Sequence, residues 1–170
     1  CIADGDYSIS DFSKELDSSI PTITKVVSEL IEAGYLKDLG KAGISSGRRP
    51  SIYGLNPDAG YIVGVDVRRY HISVAVTDFK GKIVDSQSDI PFALTNTVES
   101  FHDLCNFILK HITKLGIKKE QVLSYGLNLT GRVNHVTGYS YSYFIGEDKP
   151  IAATMESFLE RPVYIENDSR

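Results

Sequence analysis

The spacing of apolar residues changes near residue 57, and this change limits the possible folds more than any other feature of the chain. Before it, apolar residues recur three and four positions apart, which is the period of an amphipathic helix. After it, runs rich in Val, Ile and Tyr are separated by short polar turns, as in a pleated sheet. The turn-forming cluster Asn56-Pro57-Asp58-Ala59-Gly60 lies at the change. We therefore predict two domains, 1–57 and 58–170, and an α+β fold class.

The first region is predicted to contain a short helix, a tight turn, a longer helix and a two-stranded ribbon. Ser10 is expected to cap the short helix, and Phe12 and Leu16 are expected to point inward from it. The two strands of the ribbon are expected on either side of a loop at 40–47 that is rich in glycine and serine. This order of elements is the outline of a winged helix-turn-helix domain.

The longer helix has clear start and stop signals. Ser19 is the expected N-cap, because its hydroxyl can accept a hydrogen bond from a free backbone N–H. Pro21 fits in the first turn, where its missing N–H costs nothing. Gly34 stands where a left-handed residue would end the helix. The apolar stripe of this helix is expected to consist of Ile23, Val26, Val27, Leu30 and Ile31.

The outward face of this helix carries residue types that can contact DNA. Ser and Thr can bond base edges or phosphates, and Lys can neutralise a phosphate. The following loop adds two arginines that could lie along the backbone or enter a narrow minor groove. The alternative for the same residues is a solvated helix face and a charged loop. The candidate DNA-binding residues are Ser19, Pro21, Thr22, Thr24, Lys25, Arg48 and Arg49.

The second region is predicted to form an α/β lobe of three antiparallel strands, a helix, a strand, a helix and a strand. The long helix is expected to start at Asn96, because Glu99 three residues later would complete a capping box. Its apolar stripe includes Val98 and Cys105, which places the Cys105 thiol in the core. The strands are predicted at Tyr61–Val67, His71–Thr77, Lys82–Asp89, Val122–Leu129 and Val163–Ile165.

The composition argues against several classes of protein. No window approaches the roughly 20 apolar residues that a membrane helix needs, and no signal peptide is visible. Two cysteines, Cys1 and Cys105, cannot form a disulfide framework or a cysteine-rich metal site. The four histidines lack the spacing of metal ligands. We expect a cytoplasmic protein with no metal site, no cofactor and no membrane partner.

Five segments spread over the chain resemble repressors of the ROK family, which also includes sugar kinases. Ser45–Pro50, Leu55–Tyr61 and Gly64–Val67 resemble the junction between the wing and the first lobe. Val26–Leu36 resembles the family's recognition helix, and Arg161–Asp168 resembles the segment that leads to its sugar-binding Asn and catalytic Asp. The resemblance implies a winged helix-turn-helix domain followed by the first lobe of an actin-like, sugar-kinase-like domain. It places a second lobe, with the family's zinc site, after residue 170, so we expect the first lobe to be truncated.

The resemblance also assigns candidate effector contacts. Asn167 and Asp168 match the sugar-contacting Asn and the kinase base, and in a repressor the carboxylate can simply bind the sugar hydroxyl. The alternative is a strand end with an Asx turn. Many family members have a sugar-contacting Asn where this chain has Tyr141-Ser142-Tyr143-Phe144. The effector, a sugar or a sugar phosphate, is therefore left open.

The resemblance argues against ATP use. Kinases of the family carry an Asp-x-Gly-Gly-Thr loop, whose glycines let backbone N–H groups approach phosphate closely. This chain has Asp66-Val67-Arg68-Arg69-Tyr70-His71 at that position. We therefore predict a protein that is not an enzyme.

The predicted function is a transcriptional regulator, expected to be a repressor of carbohydrate-metabolism genes. It would bind double-stranded operator DNA as a homodimer or tetramer and be released by the sugar effector. One alternative is an ATP-dependent sugar kinase with a DNA-binding domain, which Asp168 would serve as base. A module that binds another protein is the other alternative.

Overall fold

Residues 6–41, 50–144 and 149–168 are described by the computed structural model. The chain separates into two units, Cys1–Ala59 and Gly60–Arg170. The observed division after residue 59 lies close to the predicted boundary after residue 57. Each unit has its own cluster of buried apolar side chains. The candidate DNA-binding residues fall in the first unit, and the candidate effector residues fall in the second.

The first unit consists of two helices and a three-stranded antiparallel sheet of strand order β1-β3-β2. Its core contains one side chain from the first helix, two from the second and one from the sheet, namely Phe12, Ile23, Val27 and Leu36. Its elements are β1 (Tyr7–Ser8), α1 (Ile9–Glu15), α2 (Ile20–Glu32), β2 (Leu36–Lys41), β3 (Ser51–Leu55) and a 3-10 turn (Pro57–Ala59).

Helix α1 starts earlier than predicted, so the assignment of its cap to Ser10 was wrong. Ser8 is the N-cap: its hydroxyl accepts from the backbone N–H of Asp11 at 3.2 Å, and the Asp11 carboxylate accepts from the backbone N–H of Ser8 at 3.0 Å. This reciprocal capping box satisfies two backbone N–H groups, so the helix is capped by Ser8 and not by Ser10. The inward position of Phe12 is confirmed, but Leu16 follows the last turn and is 50% exposed.

Helix α2 has the predicted ends. The Ser19 hydroxyl accepts from the backbone N–H of Thr22 at 3.3 Å, and Pro21 lies in the first turn. Gly34 has φ +81°, the left-handed conformation expected after the helix. The predicted stripe was too wide, because Val26 and Ile31 are exposed while the core takes Ile23 and Val27.

The second unit is built on a five-stranded sheet of order β10-β7-β4-β5-β6. β4, β5 and β6 are antiparallel, whereas β4, β7 and β10 run parallel to one another. The carboxyl ends of the three parallel strands therefore lie at one edge of the sheet. The elements are β4 (Tyr61–Val67), β5 (His71–Asp78), β6 (Ile83–Pro91), α3 (Val98–Lys114), a 3-10 turn (Lys119–Gln121), β7 (Val122–Leu129), β8 (Val133–Asn134), β9 (Tyr139–Ser140), α4 (Ile151–Leu159) and β10 (Val163–Asn167).

One face of this sheet forms the core of the second unit. Alternate residues of β4, β5, β7 and β10 are buried in the same cluster as the apolar stripes of α3 and α4. Gly64, Ala75 and Gly126 occupy the intervening positions and adjoin one another across the strands. Helix α3 is capped by Thr97, whose hydroxyl accepts from the backbone N–H of Ser100 at 3.2 Å, rather than by Asn96 as predicted. Within the described ranges, no helix is long and apolar enough to cross a membrane.

Candidate functional site

The start of α2 is ordered by its own side chains. The Ser19 hydroxyl caps the helix, and it shares a hydrogen bond of 2.8 Å with the Thr22 hydroxyl. The first turn of α2, all of which is described, contains no acidic residue. The partial positive charge of the helix N-terminus is therefore not neutralised by a side chain of that turn, which favours an approaching anion such as a phosphate.

Thr24 and Lys25 extend this polar start by another turn. The Thr24 hydroxyl donates to the Ile20 carbonyl at 2.8 Å, so towards a base edge it offers acceptor lone pairs and a methyl group. The Lys25 ammonium lies 3.9 Å from the Glu29 carboxylate, and both side chains are largely exposed. An exposed pair at this distance contributes little, so Lys25 remains able to pair with a phosphate.

The structure brings five of the seven predicted DNA-binding residues together on α2 and its cap: Ser19, Pro21, Thr22, Thr24 and Lys25. All five are exposed. The other two, Arg48 and Arg49, lie outside the described residues. Ile20, the first residue of α2, is exposed beside them and is not among the predicted residues.

A second group of polar residues lies at the carboxyl edge of the parallel strands. We call Asp66, Arg68 and Asn128 the strand-end cluster. One oxygen of the Asp66 carboxylate accepts from the Asn128 amide at 2.8 Å, and the other accepts from Nε of Arg68 at 2.8 Å. The carboxylate therefore ties β4 to β7 and is neutralised by a guanidinium that follows it by two residues.

The turn between β4 and β5 is tight and contains no glycine. The backbone N–H of Arg68 donates to the His71 carbonyl at 2.9 Å, which leaves Arg69 and Tyr70 at the tip. The Arg69 guanidinium carbon lies 5.2 Å from the centre of the Tyr70 ring. A phosphate cradle needs free backbone N–H groups, and the N–H of Arg68 is already used.

Asn167 lies at the end of β10, opposite Leu129 of β7. Its side-chain amide donates to the carbonyl of Gly131, in the turn that follows β7. That amide therefore joins two strand ends, which is a structural role in addition to any contact with an effector. Asp168 follows it and is exposed.

One of the clefts in this unit lies on the sheet face opposite the core. A cleft of about 690 Å³ runs along that face, and its lining includes Asp66, Asn128 and Glu166. Asn167 and Asp168 are not among its described lining residues. The cleft therefore shares Asp66 and Asn128 with the strand-end cluster, whereas the Asn167 amide is bonded to the turn after β7.

The aromatic residues at 141–144 divide between the surface and the core. Tyr143 and Phe144 pack against the core cluster of the second unit, and the Phe144 ring meets Phe101 edge-on at 5.7 Å. The Ser142 hydroxyl accepts from the backbone N–H of Arg132 at 2.9 Å. These contacts explain the segment by packing and do not require a sugar.

The titratable groups in the interior are structural. Burial raises the pKa of the Cys105 thiol to about 12, so this cysteine is an unreactive core residue, as predicted. The His111 ring lies 3.0 Å from the Asp85 carboxylate in a nearly buried pair that joins α3 to β6. The described part of the chain contains no group of three or more His, Cys, Asp or Glu residues that could hold a metal ion.

Comparisons with known proteins connect both units to regulators. The xylose repressor of Bacillus subtilis is 25% identical over 150 residues, which cover 87% of this chain and 38% of that protein. The transcriptional repressor Mlc of Escherichia coli is 27% identical over 176 residues, which cover 96% of this chain and 41% of Mlc. No protein-family model matches.

A solved structure shares the fold. It is a ROK-family transcriptional regulator described as a homologue of Mlc, with a TM-score of 0.69 and 20% identity, and the match covers 96% of this chain and 42% of that one. The chain thus spans about two-fifths of the length of the relatives that it matches. The resemblance predicted from the motifs is confirmed.

Proposed function

We propose that this chain is part of a repressor of carbohydrate-metabolism genes and contains its operator-binding unit and its first effector-binding lobe. The chain resembles ROK-family transcriptional repressors in sequence and fold. The observation that carries the proposal is the start of α2. It presents exposed hydroxyl and ammonium groups on a helix whose opposite side is anchored in the core by Ile23 and Val27.

The first unit is proposed to act as a winged helix-turn-helix domain. In that arrangement the second helix lies in the major groove, with its N-terminal residues towards the base edges. Thr22 and Thr24 would contact bases, and Lys25 would pair with a phosphate. Ser19 and Pro21, at the start of the helix, would lie against the sugar-phosphate backbone of the DNA. The wing is formed by β2 and β3, and Arg48 and Arg49 between them would contact phosphates or the minor groove.

The second unit is proposed to bind the effector, a sugar or a sugar phosphate, through Asn167 and Asp168. The exposed Asp168 carboxylate can accept hydrogen bonds from sugar hydroxyls. Release from DNA requires that the effector bind one conformation of a homodimer or tetramer better than the other. Under such a coupling, binding of the sugar lowers the affinity for the operator, and binding of the operator lowers the affinity for the sugar.

An ATP-dependent sugar kinase is the second candidate, since Asp168 matches a catalytic base. Two contacts oppose it. The Asp66 carboxylate is already bonded by Arg68 and Asn128, and the backbone N–H of Arg68 is donated to His71 rather than left for phosphate. The relatives named as repressors also favour regulation over catalysis. ADP release that depends on sugar and ATP would decide for the kinase.

The role of α2 can be tested with two lysine variants of the full-length protein. Lys25→Ala should weaken binding to DNA from upstream of its own gene and lower the salt slope of log K by about one unit, because one phosphate contact is lost. Lys119→Ala is the control, because it removes the same charge from the second unit, where Lys119 pairs with Glu160 at 3.2 Å. Fluorescence anisotropy at several salt concentrations measures both. Equal slopes for the two variants would remove α2 from the interface.

A further inference from the structure

Ile20 is an apolar side chain placed where the proposed DNA interface begins. It is 55% exposed, the largest exposed fraction among the large apolar residues described in the first unit. It is also the first residue of α2, directly after the Ser19 cap. Single exposed apolar residues are common on protein surfaces, so its position matters more than its exposure.

The first turns of α2, which begin with Ile20, contain no acidic residue. Thr24 lies one turn further along the same face of the helix, and its hydroxyl donates to the Ile20 carbonyl at 2.8 Å. With its donor used in this way, the Thr24 side chain adds a methyl group and an acceptor to the surface beside Ile20. The acidic residues of α2, Glu29 and Glu32, occur only in its later turns. The first turns of α2 thus offer the apolar Ile20 side chain for contact, and no carboxylate in these turns would repel a DNA phosphate.

The major groove offers one apolar group, the methyl of thymine. Isoleucine has no hydrogen-bond donor or acceptor and cannot read any other feature of a base edge. We propose that Ile20 determines sequence preference by packing against a thymine methyl, an inference that rests on the proposed role of α2 as the recognition helix. The operator half-site accordingly contains a thymine at the position that faces the start of α2.

Replacing thymine by uracil tests this contact, because the two bases differ only by the methyl group. A duplex is first selected from a random library with the full-length protein, and each thymine is then replaced in turn by uracil. At one position the replacement should weaken binding about fourfold, the effect of uncovering one methyl group. Competition anisotropy at constant salt gives the ratio of dissociation constants.

The Ile20→Ala variant should abolish this uracil penalty, since coupled partners lose their interaction when either is removed. Ile31→Ala is the matched control: Ile31 is also exposed on α2 but lies in the last turn, and its removal should leave the penalty intact. Far-UV circular dichroism and Tm of both variants show that the helix is retained. Should Ile20→Ala fail to fold, Ile20→Val replaces it and should reduce the penalty.

The outcomes separate the inference from the function on which it rests. A protein that selects no duplex and binds none would contradict the proposed function itself. Selection of a duplex, with a uracil penalty that survives in Ile20→Ala or with no penalty at any thymine, would overturn the role of Ile20 alone. Dissociation of the oligomer in Ile20→Ala, with an unchanged penalty, would show that Ile20 contacts a second copy of the chain, and would also overturn it.

Discussion

Backbone conformation and local contacts explain why glycine is required at one position of this chain and not at another. Gly131 has φ +97°, and an added Cβ would lie 2.5 Å from the Cβ of Ser142. Both the backbone and the available space therefore require glycine in the turn that receives the Asn167 amide. Gly126, three residues before the end of β7, has no atom within 4 Å of an added Cβ. Two glycines of the same strand-and-turn segment thus face opposite constraints.

We expect Gly131→Ala to lower the free energy of unfolding by about 1–3 kcal/mol, because it combines a left-handed backbone with a steric clash. Gly126→Ala should be neutral or slightly stabilising, since alanine suits a strand better than glycine. Urea unfolding followed by far-UV circular dichroism compares the two. Equal losses in both variants would mean that the turn does not need glycine at 131.

At the scale of the elements, the sequence predicted helices and strands well and their caps less well. The strands at 61–67 and 122–129 were predicted with their observed bounds, because each is a short, mainly apolar run next to a cluster of turn residues. Caps were missed at α1 and α3, where two neighbouring polar residues competed. Local hydrogen bonds from the backbone N–H groups of Asp11 and Ser100 place the caps at Ser8 and Thr97. Apolar periodicity does not distinguish these caps from their polar neighbours.

The candidate sites show the same limit. The exposed start of α2 could be predicted, because helix periodicity alone determines which residues point outward. The bond between Asp66 and Asn128 could not, because it joins residues 62 positions apart through the parallel register of β4 and β7. The Arg68 contact with Asp66 was within reach, since residues two apart at a strand end lie on the same side.

The pairing of β4 with β7 can be tested at its polar end. Asn128→Asp replaces a donor by a second carboxylate beside Asp66, and we expect a loss of about 1–3 kcal/mol at neutral pH. Asn134→Asp is the control, because the Asn134 side-chain oxygen accepts from the backbone N–H groups of Val136 and Thr137, and a carboxylate can accept the same bonds. Tm at neutral pH compares the two variants. An equal loss in both would contradict repulsion between carboxylates at positions 66 and 128.

For the whole molecule, the proposed switch would be divided between two units whose apolar residues follow different periods. One presents the polar start of α2, and the other presents the strand-end cluster with Asn167 and Asp168. The relatives are named as a xylose repressor and as a DNA-binding transcriptional repressor, and the proposed division of roles between the two units would suit such proteins. In the proposed switch, binding of the effector lowers the affinity of the protein for DNA.

Fluorescence anisotropy of the full-length protein on DNA from upstream of its own gene tests this central claim most directly. The measurement is made at two salt concentrations, with and without a panel of sugars and sugar phosphates. We predict tight binding that weakens with salt and is released by one member of the panel. Absence of binding at low salt would contradict the claim and leave the kinase as the function to be tested.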